Sequence, residues 1–537
     1  MEYKGKLELT WVGKYDDKVI EPRVLMEDRE KSYGDPRSEN MLIHGDNLIA
    51  LQALQQDFAG RIKCVYIDPP YNTGSAFEHY DDNLEHSIWL SLMKQRLILL
   101  RELLSDDGFL CCQIDDSESH YIKVLLDEIF GRNNYLTTLY IRVRYPDKTL
   151  KSDMDFHKEI EQILVYRKCY GTVPNFDYDE VGFEKFIYEV KETGKGHEEV
   201  IGGKKAIVFN SDEYKIVKKA VGDEYGLKEI WATGTILDGN SSGRFFRDYL
   251  TGRYKTDGYG VMYKIYGIGD DRYDYRYFTG PKRAGATKGK YYQGVPIEKL
   301  ESEEVKRKKP INGFYDMAGN FGNCRHEGGV EFRGGKKPEA LIEMIIRYFS
   351  NEGDWILDSF LGSGSTIATA HKMSRKWIGV EIGDHAYTLC KTRIDNVING
   401  DKTGISKNEN WQGGGGYHFY ELAPSLLVKN QRLPVYQINP EYTFEMLCEA
   451  ICKIEGFKYK PDGVYHGHSS EKRFIHITKE FVNGEYIRSI ATTLGENQSL
   501  LIYSTKVQSD LRLPDNIEVK RIPKDLLDKC TFESEVR

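Results

Sequence analysis

Short apolar runs alternate with stretches of helical spacing in two parts of the chain, and this alternation predicts the fold. The first part reads as strand 41–44, helix 48–58, strand 62–67, helix 87–104, strand 109–114 and helix 121–130. The alternation resumes with helix 340–349, strand 354–358, helix 366–373 and strand 377–381. This order is typical of a doubly wound, mostly parallel α/β sheet, to which 136–143 and 160–166 add predicted antiparallel edge strands.

The same pattern divides the chain into five segments. Residues 171–330 lack the alternation and are rich in glycine, tyrosine and charge, which indicates an inserted, partly β domain. A glycine stretch at 411–416 indicates a linker before a small α/β module. The predicted segments are an N-terminal arm at 1–40, the first half of the sheet domain at 41–170, the insertion at 171–330, the second half at 331–420 and a C-terminal module at 421–537.

Composition narrows the class of protein. The chain has 537 residues, of which 29% are charged, and no apolar run is long enough to cross a bilayer. Because the first fifteen residues also lack the apolar core of a signal peptide, a cytoplasmic protein without membrane contact is expected. The nine cysteines are scattered without metal-ligand spacing, which predicts free thiols and no metal site.

Charge is distributed unevenly along the chain. The net charge of −8 argues against a nucleic-acid partner, yet residues 244–292 carry eleven Lys and Arg against five Asp, together with thirteen Tyr and Phe. Basic side chains among aromatic ones suit phosphate contacts and base stacking, although this window taken alone slightly favours a tyrosine-rich sheet with solvated cations. The candidate DNA contacts are Arg244, Arg272, Arg276, Lys282, Arg283 and Lys288.

The stretch Asp68-Pro69-Pro70-Tyr71 follows a predicted buried strand and carries candidate chemistry. Two prolines cannot continue a central strand, so they place Asp68 at the carboxyl edge of the sheet, where open α/β sheets bind ligands. The Asp68 carboxylate and the Pro69 carbonyl can each accept a hydrogen bond from an amine, and Tyr71 offers a flat ring. The stretch therefore predicts a pocket for a planar amine, with residues 75–83 as a loop over it; an ordinary turn is the alternative.

A second set of candidates follows the strand at 354–358. Asp358 ends this strand, Gly362 and Gly364 permit close approach of a ligand to the backbone, and Glu381 ends the next strand, where an acid can hold ribose hydroxyls. A dinucleotide-binding fold shares these features but has a third glycine, and no Gly-Lys-Ser/Thr follows that would indicate a nucleotide phosphate loop. At the strand end before 48–58, Asp46 is either a helix cap or a contact to a nucleoside.

These two halves resemble the S-adenosylmethionine-dependent amino methyltransferases in the permuted order called the β class, and more closely the modification (Mod) subunits of type III restriction–modification systems. The matching segments are His44-Gly45-Asp46-Asn47-Leu48, Ile67-Asp68-Pro69-Pro70-Tyr71-Asn72-Thr73-Gly74, Lys337-Pro338-Glu339, Asp358-Ser359-Phe360-Leu361-Gly362-Ser363-Gly364-Ser365-Thr366 and Trp411-Gln412-Gly413-Gly414-Gly415-Gly416. Where the family usually has Asp-Pro-Phe before the glycines, this chain has Ser359, which changes rigidity but removes no ligand.

The resemblance implies a Rossmann-like methyltransferase sheet. It also implies an enzyme that transfers a methyl group from S-adenosylmethionine to N6 of an adenine flipped out of duplex DNA. It implies catalytic roles for Asp68, Pro69, Pro70 and Tyr71, and a cofactor site that contains Asp46, Asp68, Lys337, Asp358, Phe360, Gly362, Gly364, Ser365, Thr366 and Glu381. Adenine is favoured over cytosine because the loop begins with Asp, whereas related cytosine enzymes often have Ser.

The resemblance also implies partners. These are double-stranded DNA read by the insertion, a second copy of the chain in a homodimer, and a separate restriction subunit with helicase and nuclease functions, all at the bacterial nucleoid. The alternatives are a catalytically silent DNA-binding or specificity subunit, which predicts a damaged pocket, and methylation of cytosine N4, of RNA or of a protein amide.

Overall fold

A computed structural model describes residues 8–16, 20–72, 85–146, 156–180, 182–232, 241–286, 288–297, 300, 306–332, 335–430 and 432–532. The chain forms two compact units, one of Met1–Asn175 with Asn312–Arg537 and one of Phe176–Ile311. The second unit lies inside the insertion predicted at 171–330. No helix in the described ranges is long and apolar enough to span a bilayer.

The first half of the large unit alternates strands and helices. Its strands are β1 (Leu25–Gly34), β2 (Met41–His44), β3 (Ile62–Ile67), β4 (Leu104–Ile114), β5 (Tyr135–Arg142) and β6 (Ile160–Arg167), and its helices are Asn47–Phe58, His86–Leu103 and Ser119–Phe130. The side chain of Asp46 begins the first helix by accepting hydrogen bonds from the amides of Leu48 and Ile49.

The second unit is mainly antiparallel. Its strands are β7 (Tyr178–Glu180), β8 (Tyr188–Glu192), β9 (His197–Ile201), β10 (Lys204–Phe209), β11 (Tyr214–Lys218), β12 (Lys228–Ala232), β13 (Met262–Tyr266), β14 (Tyr275–Thr279), β15 (Gly289–Gln293) and β16 (Lys306–Lys308). Six of them form a sheet in the order β12-β15-β14-β13-β10-β9. Buried Phe246, Tyr263, Phe278 and Tyr291 lie in its core, which accounts for part of the aromatic composition.

The second half of the large unit completes the main sheet. It contributes β17 (Phe314–Asp316), β18 (Trp355–Asp358), β19 (Lys376–Glu381) and β20 (Gly416–Leu422), with helices Glu339–Phe349, Ser365–Lys372 and Thr392–Ile398. The sheet has ten strands in the order β1-β20-β2-β19-β18-β3-β4-β6-β5-β17. The six strands from β20 to β4 are parallel to one another, whereas β6 pairs antiparallel with both β4 and β5, which confirms the predicted mixed α/β sheet.

Two segments differ from the sequence interpretation. The arm contains a full strand, β1, which pairs antiparallel with β20. The stretch 411–416 is packed rather than a linker, since Gly416 begins β20 and a side chain at Gly413 would collide with the backbone of Ile398 and Gly400. Apolar periodicity does not show either feature, because both depend on pairing between distant parts of the chain.

The C-terminal residues form a smaller sheet. After the hairpin β21 (Leu427–Lys429) and β22 (Tyr436–Ile438), the strands are β23 (Lys458–Asp462), β24 (Tyr465–Ser470), β25 (Arg473–Val482), β26 (Ser499–Val507) and β27 (Ile517–Arg521), with helices Phe444–Glu455, Gly484–Ala491 and Lys524–Leu527. The five strands from β23 to β27 pair in chain order. This module belongs to the same compact unit as the main sheet.

Candidate active site

Four strand ends bring the predicted site residues to one edge of the main sheet. Strands β3 and β18 are parallel neighbours, with Val65 opposite Leu357, so the chain leaves both strands at the same edge. Strand β19 lies beside β18 and ends at Glu381, and β2 lies beside β19 and leads to Asp46. The structure therefore brings together the two loops that the insertion separates in sequence.

Asp68 is held by two neighbours. Its Oδ1 accepts a hydrogen bond from the Tyr71 hydroxyl at 2.7 Å, and its Oδ2 lies 2.7 Å from Nζ of Lys337. The Asp68 side chain is 20% exposed, so the carboxylate is sheltered but accessible. Burial raises the pKa of Asp68 above the usual aspartate value, and the Lys337 ammonium opposes this shift.

Glu161 on β6 is a second carboxylate of this site that the sequence did not indicate. The Tyr71 hydroxyl lies 2.8 Å from Glu161 Oε2, and Lys337 Nζ lies 3.7 Å from the same oxygen. The Gln113 side-chain amide also donates to Oε2, and the Tyr66 hydroxyl donates to Gln113. Glu161 lies within β6, between β4 and β5, and belongs to no motif, so only the pairing register of β6 brings it to the site.

The remainder of the Asp68 loop is fixed by hydrogen bonds to helices. The Trp89 indole donates to the Pro70 carbonyl at 2.9 Å. Asn72 adopts a left-handed conformation at φ 56° and donates to Glu118 at 2.8 Å. Pro69 is buried and Pro70 is half-buried. The predicted loop at 75–83 lies outside the described residues.

The glycine loop after β18 is built around Asp358. Thr366 Oγ1 donates to Asp358 Oδ2 at 2.6 Å, and the Phe360 amide donates to Oδ1 at 2.9 Å. Burial raises the pKa of Asp358 to about 7. Gly364 has φ +77° directly before the helix Ser365–Lys372, and a Cβ there would come 3.3 Å from the Cys390 backbone. This geometry explains why glycine occupies the position.

Glu381 connects the end of β19 to the glycine loop. Its Oε2 accepts the Gly362 amide at 2.7 Å, while Oε1 accepts the Gly383 amide at 3.1 Å and lies 2.9 Å from His385 Nε2. The carboxylate is buried. It therefore positions the loop, and the predicted contact to a ribose stays a prediction.

Lys337 connects the two halves of the site. Its carbonyl accepts a hydrogen bond from Ser365 Oγ at 2.7 Å, and its ammonium reaches Asp68. Beneath Ser365, Arg393 donates to Ser365 Oγ at 2.7 Å and to Glu339 at 2.9 Å, and Lys372 donates to Glu339 at 2.8 Å. These buried charges are paired, which is the condition for a stable polar network. Sequence reasoning placed Lys337 with the cofactor and did not identify Arg393.

Asp46 serves as the cap of the first helix. It also pairs with Arg96, whose guanidinium lies 3.2 Å from Asp46 Oδ2. The adjacent Asn47 donates to the Ser359 carbonyl at 2.7 Å, so this strand end is tied to the glycine loop. The helix-cap alternative for Asp46 is thus confirmed, whereas a nucleoside contact stays a prediction.

A cavity of about 810 Å³ opens beside these groups. It is lined by Val143, Arg144, Tyr145, Glu161, Ala318, Phe321, Gly322, Cys324, Arg325, Phe332, Gly335, Lys336 and Lys337. This size is within the range of small-molecule pockets. The partly exposed carboxylates of Asp46 and Asp68 at the neighbouring sheet edge suit a cationic sulfonium, and the glycine loop lies between their strands, so the residues present fit S-adenosylmethionine. In the described ranges, no group of three His, Cys, Asp or Glu could hold a metal ion.

The six candidate DNA contacts in the insertion have different surroundings. Arg276 is only 3% exposed and is bonded to Ser242 Oγ at 2.6 Å and Asp271 at 2.7 Å, so its expected phosphate contact is replaced by a structural role. Arg272 pairs with Glu224 at 3.1 Å and lies over the Tyr225 ring. The other four, Arg244, Lys282, Arg283 and Lys288, are exposed.

Comparison with known proteins adds independent evidence. The model of the N6_N4_Mtase family, described as DNA methylase, matches residues 62–392. One relative, named "Probable type III restriction-modification enzyme HindVI Mod subunit", from Haemophilus influenzae, is 33% identical over 459 residues, covering 78% of this chain and 59% of the relative. The EcoPI Mod subunit of Escherichia phage P1 is 25% identical, covering 75% of this chain and 66% of the relative.

The chain thus spans about three-fifths to two-thirds of the length of these relatives. Among solved structures, the M1.HpyAVI–SAM complex covers 66% of this chain and 99% of its own, at 14% identity and a TM-score of 0.29, a likeness too weak to carry an argument. The family match covers more than half of the chain and includes both Asp68 and the glycine loop. The chain belongs to the N6_N4_Mtase family of DNA methylases.

Proposed function

We propose that this chain transfers the methyl group of S-adenosylmethionine to the N6 amino group of an adenine in duplex DNA. The family match and the likeness to Mod subunits support this reaction class. The observation that carries the proposal is the connection between Asp68 and the glycine loop through Lys337. Asp68, which can accept a hydrogen bond from an amine, therefore lies at the same sheet edge as the glycine loop, which suits a nucleoside cofactor.

In this proposal, Asp68 and the Pro69 carbonyl accept hydrogen bonds from the two hydrogens of the target amine. These contacts favour a pyramidal nitrogen, whose lone pair is then withdrawn from the ring and can attack the methyl group. Asp68 need not be a strong base, because the amine becomes acidic only as the nitrogen gains positive charge. The Tyr71 ring packs on the base and offsets part of the unstacking cost.

The glycine loop and its neighbours orient the cofactor. When bound, S-adenosylmethionine supplies an electrophilic methyl group on a sulfonium. Gly362 and Gly364 leave room for it along the backbone, Phe360 packs against it, and Ser365 and Thr366 hold the loop through Lys337 and Asp358. Glu381 and Asp46 face its ribose and adenine parts in this proposal.

The insertion is proposed to contact DNA through exposed Arg244, Lys282, Arg283 and Lys288. The relatives are named as Mod subunits of type III restriction-modification enzymes, which supports a place in such a system with a separate restriction subunit. A homodimer, and action at the nucleoid in the bacterial cytoplasm, belong to the same proposal.

The intact pocket opposes a catalytically silent specificity subunit, since Asp68, Tyr71, Gly362 and Glu381 are all in place. Single-molecule sequencing of DNA from cells that express the chain tests the proposal and identifies the base and the target sequence together. We expect N6-methyladenine at one short recurring sequence. N4-methylcytosine would correct the base, and unmodified DNA would contradict the proposed reaction.

A further inference from the structure

Glu161 faces both partners of Asp68. The Tyr71 hydroxyl lies between the two carboxylates, 2.7 Å from Asp68 Oδ1 and 2.8 Å from Glu161 Oε2. The Lys337 ammonium lies 2.7 Å from Asp68 Oδ2 and 3.7 Å from Glu161 Oε2. Two carboxylates therefore share the same hydroxyl and the same cation.

The number of available protons makes this sharing unequal. A tyrosine hydroxyl has one proton, so Tyr71 donates fully to one ionised carboxylate at a time. Lys337 has three N–H donors, but its distances place it with Asp68. Transfer of both partners to Glu161 requires only a small movement, because one oxygen of Glu161 already faces them.

Glu161 is held in place to receive them. The side-chain amide of Gln113 donates to Glu161, and the Tyr66 hydroxyl donates in turn to Gln113. Gln113 and Tyr66 are both buried on neighbouring strands, so their positions are fixed by the sheet. Glu161 is thus anchored independently of Asp68.

An incoming amine competes with the present partners of Asp68. Both oxygens of Asp68 are engaged, Oδ1 by the Tyr71 hydroxyl and Oδ2 by the Lys337 ammonium. An ammonium that stayed beside Asp68 would also lie close to a nitrogen that gains positive charge during transfer, and like charges repel strongly in a sheltered site. Removal of Lys337 from Asp68 therefore favours both binding of the amine and its reaction.

We propose that Glu161 is a positioning residue that receives the Lys337 ammonium and the Tyr71 hydroxyl when the target amine occupies Asp68. This inference rests on the proposed function. This move of the Lys337 ammonium from Asp68 to Glu161 leaves the charge of the site unchanged, because Asp68, Glu161 and Lys337 together carry one net negative charge before and after it. The cation moves from one carboxylate to the other without leaving the site.

A double-mutant comparison tests this role in the full-length chain. The assay measures kcat and KM for labelled methyl transfer from S-adenosylmethionine to unmethylated genomic DNA. Glu161→Gln leaves Lys337 with Asp68 as its one carboxylate partner in this group, so we expect kcat to fall about tenfold to a hundredfold with KM for the cofactor little changed. The matched control is Glu159→Gln, at a residue that faces Arg142 instead of the site.

The decisive variant combines Glu161→Gln with Lys337→Met. In Glu161→Gln the side chains at positions 68, 161 and 337 together carry no net charge. Removal of the Lys337 cation returns this net charge to one negative and leaves Asp68 without its ammonium partner, so kcat of the double variant should be at least about tenfold higher than that of Glu161→Gln alone. A merely structural role for Glu161 predicts the opposite, because two changes in one packed cluster would lower activity further. Thermal unfolding of each variant is followed in parallel.

The outcomes separate the two proposals. Wild-type transfer together with recovery in the double variant supports the role of Glu161. Wild-type transfer with a double variant no more active than Glu161→Gln, or with Glu161→Gln as active as wild type, overturns it. Absence of transfer by the wild type overturns the proposed function, and the role of Glu161 with it.

Discussion

The Lys337 ammonium lies 2.7 Å from Asp68 Oδ2, and this ion pair joins the two loops of the site. The two residues are far apart in sequence because the whole insertion separates them. The backbone of Lys337 is held in turn by Ser365 of the glycine loop. A change of the Lys337 side chain therefore acts on Asp68 directly, while the backbone carbonyl that accepts the Ser365 hydrogen bond is kept.

Replacement of Lys337 by methionine should shift the pH dependence of methyl transfer. Burial raises the pKa of Asp68 and Lys337 lowers it, so loss of the cation leaves burial less opposed and raises the pKa further. The ionised carboxylate of Asp68 is the form that accepts the hydrogen bond of the amine strongly and can take up the proton that the amine loses. The acid limb of kcat/KM should therefore move to higher pH, with activity lost at the low end first.

The control for this shift is Lys63→Met, which removes a lysine from β3 that pairs with exposed Asp107 instead of the site. The pH dependence of kcat/KM in Lys63→Met should match that of the wild type. An unchanged acid limb in Lys337→Met would mean that Asp68 is not the group that titrates.

Gly364→Ala should weaken cofactor binding. The residue has φ +77°, and a Cβ would meet the Cys390 backbone at 3.3 Å, so the loop has to shift. Gly353→Ala is the matched control, because Gly353 has φ +80° and a Cβ there would meet no atom within 4 Å. Both variants should lose about 1–2 kcal/mol of unfolding free energy from left-handed strain. In titration calorimetry, S-adenosylmethionine should bind about tenfold more weakly to Gly364→Ala than to the wild type, and Gly353→Ala should bind it normally. Equal affinity in the two variants would contradict a cofactor role for this loop.

Arg276 should matter for stability instead of DNA affinity. Its guanidinium is buried against Asp271, so Arg276→Ala leaves that buried carboxylate with hydrogen bonds from the Tyr273 and Gly294 amides but no cationic partner. The unfolding free energy should therefore fall by about 3–5 kcal/mol. Arg283→Ala, at an exposed position of the same unit, should change it by less than about 0.5 kcal/mol. Similar denaturation curves for the two variants would show that the ion pair does not stabilise the insertion.

Exposed cations of the insertion should instead set the salt dependence of DNA binding. Combined replacement of Lys282, Arg283 and Lys288 by alanine should reduce the slope of log K against log salt by about 0.9 for each DNA phosphate that the variant no longer neutralises. Lys205→Ala is the control, since Lys205 lies on β10 near the opposite edge of the sheet and pairs with Glu198. An equal slope in the triple variant and the wild type would place the DNA-binding surface elsewhere.

Sequence patterns predicted the parts of this structure that depend on local order. Asp68, Asp358 and Glu381 each end a short apolar run before a turn, so their position at a sheet edge follows from periodicity and from the rules of parallel sheets. The two antiparallel strands β5 and β6 were predicted within a residue of their observed ends. The same reasoning predicted free thiols, and all nine cysteines are unpaired with one another.

The features that the sequence did not predict depend on contacts between distant segments. Glu161 reaches the site because β6 pairs with β4 and β5 in a register that no local pattern specifies. Arg276 is one basic residue among many in its window, and only the course of β14 through the sheet places it in the interior. Charge counts cannot distinguish such a residue from exposed Lys288, which is why both were predicted to bind DNA.

The central claim is that Asp68 presents an adenine amine to S-adenosylmethionine. Its most direct test incubates the purified chain with unmethylated DNA and cofactor labelled in the methyl group, followed by separation of the nucleosides. We predict label in N6-methyladenine with the wild type and none with Asp68→Ala, while Asp57→Ala, at an exposed aspartate, transfers label normally. Label absent with the wild type, or unchanged in Asp68→Ala, would contradict the account.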